Sequence, residues 1–107
     1  MTVLMAAHVL SFKNQSEFFD KIKNKDSDLV LKMVKTILWA IKNKKPKIEI
    51  FQVVFSESKE ITFSLERKEY LKTLNLQMPK LIELEEYELC SQIQKINEKR
   101  HKRRKNN

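Results

Sequence analysis

The stretch IEIFQVVFSESKEITFSLE, Ile48 to Glu66, decides the fold. Two runs of alternating apolar residues flank a polar break at Ser56-Glu57-Ser58-Lys59. Alternation with period two marks a half-buried strand, and two such runs around a short polar break predict an antiparallel β-hairpin. Phe51, Val53 and Phe55 share one face of the first strand, and Ile61, Phe63 and Leu65 share one face of the second. Pairing Phe55 with Ile61, Val53 with Phe63 and Phe51 with Leu65 brings all six to the same side. Gln52, Val54, Thr62 and Ser64 fall on the other, more polar side. Ile48 and Ile50 have the opposite parity to Phe51, so a bulge or a second covered face is expected between Ile50 and Phe51. A lone hairpin is marginal in water, and helices are therefore expected over its aromatic face.

The flanking segments supply those helices. The pattern of Val3 to Phe12 fits either a short strand added to the hairpin or an extra helical turn. Asn14 or Ser16 can cap a short helix over Glu17 to Lys23, with Phe18, Phe19 and Ile22 inward. Asp26, Ser27 or Asp28 caps a second helix whose apolar face runs through Leu29, Val30, Met33, Val34, Ile37, Leu38 and Ile41. Asn43 suits a left-handed residue after its end, Pro46 stops it, and its apolar face is expected on the aromatic side of the hairpin. Beyond Leu65, ERKEY opens a third helix with Tyr70, Leu71 and Leu74 inward. Pro79 suits the first turn of a last helix from about Lys80 to Lys99, with an apolar stripe of Ile82, Leu89, Ile93 and Ile96. The expected architecture is α+β. It is a helix-majority small domain with an antiparallel hairpin at about residues 47–66 covered by helices, a long C-terminal helix and a disordered basic tail. Residues 1–98 form the single domain and residues 99–107 the tail.

Composition removes several function classes. At 107 residues the chain suits one domain with a modest core. Glycine is absent, which excludes the glycine-built phosphate loops: the Walker A loop, the dinucleotide fingerprint and the GXXG loop. Cys90 is the only cysteine, so an internal disulfide and a thiol-based metal site are excluded. Its spacing from Tyr87 and Ile93 reads as a small buried apolar position rather than a reactive thiol. No apolar run approaches the roughly 20 residues of a membrane span. The start, MTVLMAAHVLSF, lacks a basic leader, and an intracellular location is the expectation.

Charge carries the strongest functional signal. Lys99, Arg100, Lys102, Arg103, Arg104 and Lys105 make six of the seven residues from 99 to 105 basic. Without that run the formal net charge falls from +8 to +2, leaving 16 cations against 14 acids. Such a run finds phosphate by counterion release and reads no sequence by itself; six phosphate contacts on a duplex give a salt slope of about −5. A localisation signal or a solubilising end has the same composition. Lys42, Lys44, Lys45 and Lys47 form a second basic cluster beside Trp39, which helical spacing aligns with Lys32, Lys35 and Asn43. Trp39 then either stacks on a base or sits at the core boundary under lysine stems.

The hairpin disfavours RNA stacking across the sheet, because all three hairpin phenylalanines take the core parity. Glu83, Glu85, Glu86 and Glu88 have no neighbouring histidine and read as a solvated face. His8 and His101 lack the company that a catalytic base or metal ligand needs. The expected function is therefore that of a non-enzymatic accessory protein. It would bind nucleic acid or a ribonucleoprotein assembly through the basic tail, with Lys42 to Lys47 as second anchor. No cofactor, metal, membrane or small-molecule substrate is expected. The alternative is a protein-interaction or regulatory module, of viral or mobile-element type, docking by the hairpin edge or the last helix. There Ile82, Leu89 and Ile96 recur every seven residues with Ile93 between, as a partner seam or as a core face.

Overall fold

The hairpin is present and is the centre of a larger sheet. The computed structural model describes residues 7–56 and 59–105, with side chains as far as Arg100. Elements follow in the order β1 (His8–Phe12), α1 (Gln15–Lys23), α2 (Ser27–Lys42), β2 (Lys47–Phe55), β3 (Glu60–Glu66), α3 (Arg67–Glu83) and α4 (Tyr87–Lys105). The architecture is α+β, with four helices and one three-stranded sheet among the described residues. Strand order is β1-β2-β3. The described part of the ambiguous first segment is strand, and it pairs parallel to β2. A parallel pair needs a crossover, which α1 and α2 provide. Residues 3–6 of that segment lie outside the described residues.

Of the two readings of the parity slip, the structure shows the bulge, between Glu49 and Phe51. Its effect is to keep Ile48 and Ile50 on the core side along with Phe51, Val53 and Phe55. The register is two residues tighter than the expected one: Phe51 opposes Phe63, Val53 opposes Ile61 and Val54 opposes Glu60. The Phe55 amide donates to the Lys59 carbonyl at 2.8 Å and closes the turn. A shift of two preserves every facing, so hydrophobic pattern alone cannot detect it. The shorter loop costs less closure entropy and adds ladder bonds. Rows now cross all three strands: His8, Phe51 and Phe63, then Leu10, Val53 and Ile61. The opposite face stays open, with Val9 67% exposed beside Gln52 and Thr62.

Helices cover the other face. The α1 cap is Asn14, whose Oδ1 accepts from the Glu17 amide at 3.0 Å. This short helix turns one stripe to the sheet, and Phe18 and Ile22, one turn apart, occupy it. Phe18 is sealed in with its ring 5.4 Å from Phe12 and edge-on to Phe51. Phe19, expected inward, is 52% exposed because it lies about 100° around the helix from Phe18. In α2, Asp26 caps through Leu29, and the helix packs on β2 as expected. Its wide apolar face is explained by a second neighbour, α3, on its flank.

Pro79 does not start a helix. It lies inside α3, which continues to Glu83. An internal proline costs about 3 kcal/mol. Against that, the stripe Tyr70, Leu74, Met78 and Leu81 runs unbroken across it, with Leu81 fully buried. Burial at about 1.5–3 kcal/mol per large side chain outweighs the proline. Lys25 Nζ donates to the Leu76 carbonyl at 2.7 Å, beside the site of the missing amide. The chain breaks instead at Leu84-Glu85-Glu86, so Ile82 belongs to α3 and is 52% exposed, while Leu89, Ile93 and Ile96 belong to α4. α4 packs on α3 and its backbone is helical to Lys105, beyond the expected end at Lys99. Lysine and arginine are good helix formers and suit the negative end of the helix dipole.

The absence of glycine shows at three helix ends. Lys25, Lys44 and Glu85 all have positive φ, at 51°, 54° and 59°. Each is the left-handed residue of a Schellman motif; after α2, for instance, Lys44 N bonds Ile41 O and Lys45 N bonds Ala40 O. Asn43, expected in the left-handed position, is the C-cap with φ −95°, and its side chain donates to the Trp39 carbonyl.

Candidate nucleic-acid interface

The loop Asn43 to Lys47 is held by its carbonyls. The Arg67 guanidinium donates to Lys44 O at 3.0 Å, the Tyr70 hydroxyl donates to Lys45 O at 3.0 Å, and the Arg67 amide donates to Pro46 O at 2.9 Å. With its backbone occupied in this way, the loop turns Lys42, Lys44 and Lys47 to solvent. Lys45 is half-buried, and its ammonium lies 5.8 Å from the centre of the Trp39 ring. Trp39 is partly buried and packs against the core. A base stacking on the face that Lys45 covers must first displace that cation. Burial pushes the Tyr70 phenol above its usual range, and the nearby Arg67 cation opposes that rise more weakly.

A further group of basic side chains, Lys68, Lys72 and Arg100, lies between α3 and α4. These helices run antiparallel around the short Leu84–Glu86 turn, so the first half of α3 faces the second half of α4. Asn75 and Asn97 join across the interface by two amide hydrogen bonds, of 3.2 and 2.9 Å. Around that pair opens a groove of about 600 Å³ lined by Lys68, Leu71, Lys72, Asn75, Leu76, Asn97 and Arg100. Among the described residues its lining has three cations and no carboxylate. Lys68 also reaches Glu66 at 3.7 Å, but both side chains are well exposed, and such a pair is weak.

The first turn of α3 thus links the two basic regions read from the sequence. Arg67 holds the Lys44 loop, and Lys68, one residue on, lines the groove that also contains Arg100 of the C-terminal run. Lys99 is exposed on the same helix, and positions 102 to 105 continue its backbone. Lys68, Lys72, Asn75 and Asn97 were not legible as a site. Their spacing, at i, i+4 and i+7 on α3, was visible, but placing a helix start at Pro79 hid the partner that makes it a groove.

The remaining candidates have other surroundings. Leu89 and Ile93 are buried in the core, Ile93 completely, and Ile96 packs against it. Glu83, Glu85, Glu86 and Glu88 are spread over the end of α3, the turn and the start of α4, and Glu83 pairs with Lys80 at 3.5 Å. His8 Nε2 lies 3.2 Å from the hydroxyl of buried Thr36, which donates to Lys32 O at 2.7 Å. That hydroxyl proton is committed, so His8 is the donor and carries its proton on Nε2. Among the described residues no group of three His, Cys, Asp or Glu could hold a metal ion, and no helix is long and apolar enough to cross a membrane.

Comparison with protein-family models, curated proteins and solved structures finds no match to this chain.

Proposed function

We propose that this protein is a small non-enzymatic accessory factor, acting inside the cell, that binds nucleic acid or a ribonucleoprotein through phosphate contacts. The basic residues from Lys99 to Lys105 are the principal contact, and Lys42, Lys44, Lys45 and Lys47 the second anchor. The observation that carries this reading is the charge distribution: formal charge is +8 for the whole chain and +2 without that run. The link through Arg67 and Lys68 supports it further, because cations from distant parts of the sequence meet around one end of α3. Counterion release then supplies the free energy, and sequence preference is low. The test compares full-length protein with residues 1–98 on a labelled oligonucleotide across a salt series. Loss of affinity and a shallower salt slope on truncation support the reading, and unchanged binding refutes it.

A second reading, a protein-interaction module, has one observation in its favour. Ile82 and Tyr87 are exposed large side chains on either side of the α3–α4 turn. An Ile82→Glu variant that folds normally but loses a partner retained after nuclease treatment favours this reading over the first.

A further inference from the structure

We infer that the α3–α4 groove is itself a binding site for single-stranded nucleic acid, holding one base against Leu71, Leu76 and the Asn75–Asn97 pair and neighbouring phosphates of the strand, one each, on Lys68, Lys72 and Arg100. This rests on the nucleic-acid reading but adds a site that the basic run alone does not provide. A cationic run by itself needs only phosphates, and it treats single strand and duplex by charge density. The groove offers more. Its cations line a concavity whose floor carries two leucines and an amide pair. Leu76 is among the few exposed large apolar side chains of the described residues, and it lies in this groove.

The chemistry of the lining selects a single strand. In a duplex the base faces are stacked inside and only phosphates, sugars and base edges reach a protein. In a single strand the base is free to leave the stack and enter a concave site. Each amide of the Asn pair spends one N–H and one lone pair on its partner. One N–H and one lone pair remain on each, a donor and an acceptor for a base edge. No aromatic side chain lines the groove, so charge rather than stacking dominates its affinity.

The test uses the full-length chain and fluorescence anisotropy on labelled single-stranded and duplex 20-mers over a salt series. Wild type should bind the single strand at least ten-fold tighter than the duplex. Lys68→Glu/Lys72→Glu, at two exposed positions, should remove that preference and flatten the single-strand salt slope by about 1.4, or 0.7 for each lost contact. Asn97→Leu should weaken single-strand binding and leave the slope unchanged, because it removes no charge. A control with Lys102, Arg103, Arg104 and Lys105 changed to Ala should lower affinity for both ligands and keep the preference. The groove is ruled out if wild type binds both ligands alike, or if the double Glu variant binds as wild type while the tail variant fails; the tail reading then stands. If wild type binds neither ligand at low salt, both readings fail.

Discussion

Glu85→Gly should stabilise this protein. Glu85 has φ 59°, the left-handed region, at the end of α3. A non-glycine residue there pays about 1–2 kcal/mol for the approach of its Cβ to the backbone. Glycine removes that strain but gives the unfolded chain extra freedom, a loss of about 0.4–1 kcal/mol. The net gain is about 0.5–1 kcal/mol. Glu85 is exposed and makes no side-chain hydrogen bond or ion pair among the described residues, so nothing else is lost. Both Schellman bonds, Glu85 N to Ile82 O and Glu86 N to Leu81 O, come from backbone and survive. Urea unfolding should show a higher midpoint at unchanged m, and the melting temperature should rise by roughly 2–4 °C. Lys25→Gly is the internal control. It relieves the same strain but loses the 2.7 Å bond from Lys25 Nζ to Leu76 O, a net hydrogen bond of about 0.5–1.5 kcal/mol. Its stability should therefore stay near wild type. A Glu85→Gly protein no more stable than wild type, or a Lys25→Gly protein that gains as much, refutes the strain argument.

Ile93→Glu places a charge where Ile93 is fully buried, and it should abolish cooperative unfolding and near-UV circular dichroism. Ile82→Glu should unfold within about 0.5 kcal/mol of wild type, since its site is on the surface. Thr36→Val leaves the His8 Nε2 proton without its acceptor, and chemical denaturation should show a loss of about 1 kcal/mol. The Tyr70 phenol is raised in the folded state, so its contribution to stability is complete below about pH 10 and is lost as pH rises through the folded value. Over that alkaline window wild type should lose stability more steeply than Tyr70→Phe, measured by urea midpoint at each pH.

Alternation at Ile48 to Glu66 was enough to give the hairpin, its buried face and the parity slip at Ile50, because parity is a local property, but it left a bulge and a second covered face as alternatives. The register was not legible, since Phe51 meets its face opposite either Leu65 or Phe63. The stop at Pro79 was misread for a related reason. Local propensity ends a helix there, and only the packing of Met78 and Leu81 carries α3 through. That one boundary moved Ile82 off the C-terminal helix and concealed the groove at Asn75 and Asn97. At the end of α2 the sequence pointed to Asn43 for the left-handed position. The structure uses two lysines and a glutamate, whose strain the surrounding backbone bonds hold in place.

Cations gathered around α3 and the end of α4 are proposed to bind phosphate. The salt dependence of full-length protein on a labelled single-stranded 20-mer tests this most directly. The six cations of the C-terminal run together with Lys68 and Lys72 predict that log K falls with log salt at a slope of roughly −5 to −6, steepening toward about −8 if the second anchor at Lys42 to Lys47 is engaged on the same strand. Binding with a slope near zero, or no binding at low salt, contradicts the account.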